Sequence, residues 1–320
     1  MERTKVDFLK GHMGGNEIIL LDGRQVPSGK ERQLAASALK PPNIRGHQAG
    51  FLYQGTEKNQ IRARIVSVTG LDFLSMCGGL TQVLGKAMEE DDFADRYSIT
   101  KEEPITDLTL LTDAGPIPLR LEIEDGKVVK TETTMNSFVE ESYRIGVEET
   151  RIAGVNAYKV GEALCVEFDE IKNGFPDLDF DELEEEEFAL LENIQDEFVA
   201  QFFSQSVKEK KSKGRTFAIY DRHPERSGDI RVIFPHLVSS GHIEPSCGTG
   251  TTVVGMTMLE RGQLPDSGTI QLTAESGGDI DHIGGPEKTT LSMEVKEGKL
   301  ENISFTHSLV ELIARGVLWL

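Results

Sequence analysis

Two similar glycine-rich stretches, each opening with a cysteine, constrain this chain more than any other feature. Cys77 lies in SMCGGLTQVLG and Cys247 lies in PSCGTGTTVVG, and both stretches read Cys-Gly, then Thr-x-Val, then a closing Gly. Each runs into an apolar pattern of helical period, which predicts a glycine turn followed by a helix. Because the two cysteines are 247 − 77 = 170 residues apart among similar runs of strands, we predict an internal duplication at the scale of a domain.

The patterns around the two cysteines predict a mixed chain of the α/β (α+β) class. Alternation in NQIRARIVSV and the Asp125-Gly126 turn within LEIEDGKVVK are typical of a strand and a hairpin. The segment DELEEEEFALLENIQDEFVAQFF has an apolar stripe of helical spacing. We predict a first domain over 1–145 with Cys77 and a second over 146–320 with Cys247. The last strand, about 312–320, is expected to pack back on the first domain.

Charge and composition exclude several classes of partner. The 320 residues carry a net charge of −20, which would repel nucleic acid and anionic membranes. The N-terminal MERTKVDFLKG is charged, and no run approaches the roughly 18–20 apolar residues that span a bilayer. We therefore expect a cytoplasmic protein with no nucleic-acid and no membrane partner. In that compartment the three cysteines are not expected to form structural disulfides, and no CxxC pair indicates zinc.

The two cysteine stretches have a chemical interpretation. A helix N-terminus presents free backbone N–H groups and a positive dipole end, which favour a thiolate and can hold a carboxylate. Inversion of a carbon that bears a hydrogen needs a base on one face and an acid on the other. Two thiols can supply both, with a contribution of about 10²–10⁴-fold that is typical of acid–base catalysis by side chains.

Simpler interpretations of each cysteine stay open beside the chemical one. A free cysteine is among the most buried residue types and most often only packs. That interpretation is adopted for Cys165, because GEALCVEF is a buried-strand pattern without a glycine turn. For Cys77 and Cys247 the repeated pattern favours chemistry. A thiol hydrolase is disfavoured, because no histidine is placed by sequence to activate either sulfur.

Longer matches around these residues resemble the diaminopimelate epimerase and proline racemase superfamily of cofactor-independent racemases. KGHMGGNEIILLDG is similar to the epimerase opening, with His12, Gly15 and Asn16 at matching positions. SSGHIEPSCGTGTTVVGMTMLERGQL is closer to the proline racemase form. The resemblance implies two pseudo-symmetric domains, each a curled, mostly antiparallel sheet around a central helix, with the active site in the cleft between them. It also implies Cys77 and Cys247 as the acid and base, with no cofactor and no metal.

The same resemblance, with the glycine turns, supplies candidates for substrate binding. Asn16 is a candidate for a side-chain contact, although an asparagine there is as commonly a turn former. Glu244 is a candidate for an ammonium group, and its simpler interpretation is a solvated loop acid. The backbone candidates for a carboxylate are Gly78, Gly79, Gly248, Thr249 and Gly250, which alternatively only shape the turns. His12 and His242 are candidates for indirect roles, although a lone histidine is more often structural.

Departures from the family pattern leave the substrate open. The family usually has Asn or His two residues after the first cysteine, where this chain has Gly79. The acid just before the proline racemase cysteine is matched here only by Glu244, one residue out of step. The expected partner is a small-molecule amino acid or related carboxylate, and a homodimer is left open. The leading hypothesis is an amino-acid racemase or epimerase, with two alternatives: an isomerase, tautomerase or dehydratase of a small acid, and a non-catalytic acid-binding protein.

Overall fold

The computed structural model describes most of the chain: residues 5–40, 43–68, 71–176, 185–203, 216–224, 226–236, 242–244, 246–276 and 287–319, with the side chains of 185–188, 236, 242 and 243 left out. This part of the chain forms two compact units. Unit 1 comprises Met1–Ser137 with Thr306–Leu320, and unit 2 comprises Phe138–Phe305. Sequence patterning had put the change of domain at 145/146.

Unit 1 is a mixed sheet with helices. Its strands are β1 (Lys5–Met13), β2 (Asn16–Asp22), β3 (Gln48–Gln54), β4 (Gln60–Ser67), β5 (Phe73–Leu74), β6 (Ile105–Thr112), β7 (Gly115–Glu124), β8 (Lys127–Thr134) and the C-terminal β18 (Val310–Trp319). Its helices are α1 (Glu31–Leu39), α2 (Gly78–Ala87) and α3 (Asp91–Arg96), with one 3-10 turn at Gly23–Gln25.

Unit 2 repeats this mixture. Its strands are β9 (Val147–Ile152), β10 (Val155–Val160), β11 (Ala163–Glu167), β12 (Phe217–Asp221), β13 (Ile230–His236), β14 (His242–Glu244), β15 (Gly268–Ser276), β16 (Lys288–Lys296) and β17 (Lys299–His307), whose last residues pass into unit 1. Its helices are α4 (Asn136–Ile145), which begins at the end of unit 1, α5 (Phe168–Gly174), α6 (Glu185–Phe202) and α7 (Gly248–Glu260).

The order of strand pairing is the same in the two units. In unit 1 the sheet runs β18-β1-β2-β3-β4-β6-β7, with parallel pairs only at β2/β3 and β4/β6. In unit 2 it runs β9-β10-β11-β12-β13-β15-β16, with parallel pairs only at β11/β12 and β13/β15. Short antiparallel strands, β5 and β14, lie beside β4 and β13 in turn. The prediction of a mixed α+β fold with mostly antiparallel sheets is confirmed.

One long apolar helix lies inside each unit because its glycines let it approach the sheet. In unit 1, Leu80, Val83 and Leu84 of α2 are fully buried in the core cluster that also contains residues of β1 to β4 and β6 to β8. A Cβ at Gly85 of α2 would collide with Thr131 of β8. The equivalent Gly255 of α7 lies against β16, where an added Cβ would be 2.8 Å from Leu291 Cδ1. Both glycines stand eight residues after their cysteine, so the closing glycine of each stretch is a packing position.

Candidate active site

Cys77 and Cys247 occupy the same position, the N-cap, of α2 and α7. Cys77 has φ −150° and ψ 118°, and its Sγ accepts the N–H of Leu80 at 3.4 Å. Cys247 has φ −141° and ψ 108°, and its Sγ accepts the N–H of Gly250 at 3.3 Å. A cap residue with extended dihedrals and a side chain that accepts the third N–H is the usual N-cap geometry, here with sulfur in place of oxygen. The predicted glycine turn followed by a helix is confirmed at both cysteines.

The same short strand precedes each cysteine at the same spacing. Cys77 follows the last residue of β5, Leu74, by three positions, and Cys247 follows the last residue of β14, Glu244, by three positions. Each cysteine is therefore held where a short edge of sheet turns into a buried helix. Cys77 is buried and Cys247 is half-buried.

Threonine hydroxyls stabilise the first turn of both helices. Thr81 donates to the carbonyl of Gly78 at 2.6 Å and lies 2.8 Å from the hydroxyl of Thr133. Thr251 donates to the carbonyl of Cys247 at 2.9 Å. Both threonines stand four residues after their cysteine, which explains the shared Thr of the two stretches. The first N–H groups of any helix have no intrahelical carbonyl partner. The third one in each of these helices is accepted by the cysteine sulfur.

Aromatic rings explain two of the glycines in the second stretch. A Cβ at Gly248 would overlap the ring of Phe305, and a Cβ at Gly250 would overlap the ring of Phe234. Both glycines are buried, while Thr249 between them is half-buried. The sequence offered these positions as backbone contacts or as turn formers, and it gave no sign of the two phenylalanines. Phe305 is 57 residues beyond Gly248 in the chain, so only the fold brings it to the helix.

Asn16 lies over the first turn of α2. Its side chain is fully buried, and its amide nitrogen is 3.3 Å from the place that a Cβ would take at Gly79. Unit 1 thus brings together four of the predicted residues: Cys77, Gly78, Gly79 and Asn16. The lack of a side chain at residue 79, which looked like a departure from the family pattern, leaves room for Asn16.

Glu244 is a buried residue of a short strand. Its alternative interpretation, a solvated loop acid, is wrong, because it lies in β14, opposite Phe234 of β13, and is only 6% exposed. Its strand ends three residues before Cys247. Unit 2 thereby brings together Cys247, Gly248, Thr249, Gly250 and Glu244. The side chain of His242 lies outside the described residues.

Cys165 is a packing residue, as predicted. It lies in β11, is fully buried, and burial raises the pKa of its thiol to about 12. It is therefore a neutral thiol at neutral pH. Within the described ranges, no group of three or more His, Cys, Asp and Glu side chains is arranged to hold a metal ion. No helix in the same part of the chain is long and apolar enough to cross a membrane.

Comparison with known proteins identifies the fold. No protein-family model matches the chain, and no curated protein sequence matches it significantly. Among solved structures, it is similar to a hydroxyproline epimerase from Agrobacterium vitis with bound trans-4-hydroxy-L-proline, at 14% identity and a TM-score of 0.65, over 99% of this chain and 92% of that one. The chain has the diaminopimelate epimerase-like fold.

Other proteins with the diaminopimelate epimerase-like fold match over nearly their whole length. A methylitaconate-delta-isomerase matches at 14% identity and a TM-score of 0.62, over 100% of this chain and 96% of that one. A phenazine biosynthesis protein of the PhzF family from Bacillus anthracis matches at 12% identity and a TM-score of 0.61, over the whole of both chains. These similarities confirm the fold that the resemblance implied.

Proposed function

We propose that this protein is a cofactor-independent isomerase that moves a proton on a carbon next to a carboxylate, with Cys77 and Cys247 as acid and base. One observation carries the proposal. The two sulfurs cap equivalent helices in two units of the same strand order, and each accepts the third N–H of its helix. A single packing cysteine would not need to be repeated with its cap, its threonine and its glycines.

The reaction balances with these groups alone. One cysteine, as thiolate, takes the proton from the carbon, and the other, as thiol, gives a proton to the opposite face. The first sulfur ends as thiol and the second as thiolate, so the reverse reaction uses the same two groups with their roles exchanged. The charge that develops flows into the carboxylate. Backbone N–H groups of Gly78, Gly79, Gly248 and Thr249 would stabilise it there.

The more specific proposal is a racemase or epimerase of a free amino acid. Asn16 and Glu244 are both buried beside a cysteine turn. A buried carboxylate at Glu244 is suited to an ammonium group, and the amide of Asn16 is suited to a carboxylate or hydroxyl. The epimerase with the same fold binds trans-4-hydroxy-L-proline, which carries all three groups.

A second candidate is a double-bond shift in a small unsaturated acid. The similarity to a methylitaconate isomerase, which is as extensive as that to the epimerase, favours it. In this reaction one cysteine, as thiolate, removes a proton from one carbon, and the other, as thiol, gives a proton to the carbon at the other end of the shifted double bond. It needs the same carboxylate binding but no ammonium group, so Glu244 would have no direct role.

Incubation in D₂O with L- and D-amino acids and small unsaturated acids tests both candidates. For an amino acid, NMR is expected to show deuterium at the carbon next to the carboxylate together with the opposite stereoisomer. For an unsaturated acid, it is expected to show deuterium at the far end of the shifted double bond together with the isomeric alkene. The doubly substituted Cys77→Ala/Cys247→Ala protein is the matched control. If no member of either panel exchanges, while an acid still stabilises the protein against heat, the non-catalytic binding protein is favoured instead.

A further inference from the structure

The β1–β2 hairpin places Asn16 through a two-residue turn. Met13 pairs with Asn16, so only Gly14 and Gly15 form the loop, and their φ angles are +52° and +84°. Two positive φ angles are the requirement of a type I′ turn, which is favoured between strands of normal twist. The turn therefore determines where the first residue of β2, Asn16, enters the sheet.

A buried imidazole is bonded to this turn. His12 is only 2% exposed, and its Nδ1 accepts the N–H of Gly15 at 3.3 Å. Its Nε2 lies 3.4 Å from Oε2 of Glu311, which comes from β18. The two atoms are close but are not in hydrogen-bond geometry. The bond from the N–H of Gly15 is therefore the contact that ties the ring to the turn.

We infer that His12 is a positioning residue for the candidate active site. Its Nδ1 accepts the N–H of Gly15 and so fixes the β1–β2 loop. The loop in that position holds Asn16 against Gly79 at the start of α2. This inference rests on the proposed function, because Asn16 is a substrate contact only under that proposal. The chain of contacts, from His12 through Gly15 to Asn16, lies wholly within unit 1.

Two amide substitutions at His12 test the contacts of the two ring nitrogens one at a time. The side chain of Asn reaches only as far as Nδ1, so His12→Asn keeps an acceptor for Gly15. The side chain of Gln reaches toward Nε2, so His12→Gln keeps the contact to Glu311 and loses the acceptor. Two readouts are compared with wild type: hydrogen exchange of the peptide that contains Gly15, and alkylation of Cys77 by iodoacetamide relative to Cys247.

His12→Gln is expected to raise exchange at the turn about three- to tenfold, the size of one lost hydrogen bond, while His12→Asn stays within about twofold of wild type. The Cys77 to Cys247 alkylation ratio should follow the same order. The inference is overturned if the two variants show the same exchange at the turn, because the acceptor for Gly15 then has no role. It is also overturned if alkylation increases equally at Cys77 and Cys247, because that result means a general loosening of the protein. Neither readout needs turnover, so failure of the isotope test above would reject the proposed function and leave this result interpretable.

Discussion

The ring of Phe305 fills the space that a side chain at Gly248 would need. Gly248 is the first residue of α7, directly after Cys247, and a Cβ there would overlap three ring carbons of Phe305. The position of the second cysteine therefore depends on a phenylalanine near the end of unit 2. This contact can be tested without any knowledge of the substrate.

Gly248→Ala is expected to lower the free energy of unfolding by about 1–3 kcal/mol, because overpacking forces the ring or the helix to move. The penalty should appear even though Ala favours a helix by about 1 kcal/mol. Urea unfolding measures it, and Phe305→Leu should relieve it in the double variant. Gly174→Ala, with nothing within 4 Å of its Cβ, is the matched control and should be neutral or stabilising.

Cys77→Ser and Cys247→Ser are each expected to slow isotope exchange by about 10²–10⁴-fold, because a serine hydroxyl is a far weaker acid than a thiol and is hardly ever ionised to act as a base at neutral pH. Substrate binding, measured by thermal shift, should change little. Cys165→Ala, which removes a buried thiol in β11, is the control and should retain exchange. Full exchange in either serine variant would contradict the two-thiol mechanism.

A reagent that bridges two nearby thiols should join Cys77 to Cys247 if both act on one carbon. Phenylarsine oxide, added at one equivalent, is expected to link the two cysteine peptides, and a substrate acid should protect them. Mass spectrometry of a digest made without reduction identifies the linked pair. Two separately modified peptides and no linked pair would exclude a shared substrate carbon.

Burial of Cys165 predicts a loss of stability at alkaline pH. Burial raises the pKa of this thiol from the ordinary value of 9.0 to about 12. The contribution of Cys165 to the free energy of unfolding is complete below pH 9 and is lost as the pH rises from 9 toward 12. The reason is that the unfolded chain then releases a proton that the folded chain keeps. The expected slope is at most about 1.4 kcal/mol per pH unit. In Cys165→Ala, the free energy of unfolding, measured in urea, should fall less steeply between pH 9 and 10 than in wild type. An unchanged slope would mean that other groups cause the pH dependence.

Glu167 is expected to be the most sensitive carboxylate of unit 2 described here. It is 4% exposed in its side chain and contacts Arg222 at 2.5 Å and Arg261 at 2.9 Å. Glu167→Gln removes the carboxylate that Arg222 contacts and one of the two that Arg261 contacts, which should cost about 1.5–3 kcal/mol. Glu170→Gln, at a more accessible partner of Arg261, should cost under about 1 kcal/mol. Similar losses in the two variants would contradict the importance of burial.

Local patterns predicted the parts of the fold that depend on neighbours in sequence. The Asp125-Gly126 turn joins β7 to β8, and both cysteine turns open helices, as their sequences indicate. The helix α4 and the strand β9, at 136–152, were not recognised and were taken only as a boundary region. The apolar residues of α4 do recur at helical spacing, but the segment has only ten residues and many charges, so it was passed over. The strand β9 is short and mostly exposed, and it depends on its pairing with β10.

Contacts between distant residues could not be predicted. Nothing in the sequence places Asn16 against Gly79, or Phe234 against Gly250, because these pairs meet only after the sheets have formed. The burial of Glu244 was misjudged for the same reason, since its three-residue strand gains its cover from β13. The two cysteine stretches predicted the chemistry of the candidate site, whereas the side chains that pack around the cysteines could not be predicted.

Placing β18 beside β1 makes the order of synthesis matter. β1 pairs with β18, from Lys5 opposite Trp319 to Met13 opposite Val310. Unit 2, with its strands β9 to β17, is translated between the two. The edge of β1 therefore stays unpaired until unit 2 has been made, and a nonsense mutation in the codons of β18 would leave unit 1 incomplete and not unit 2.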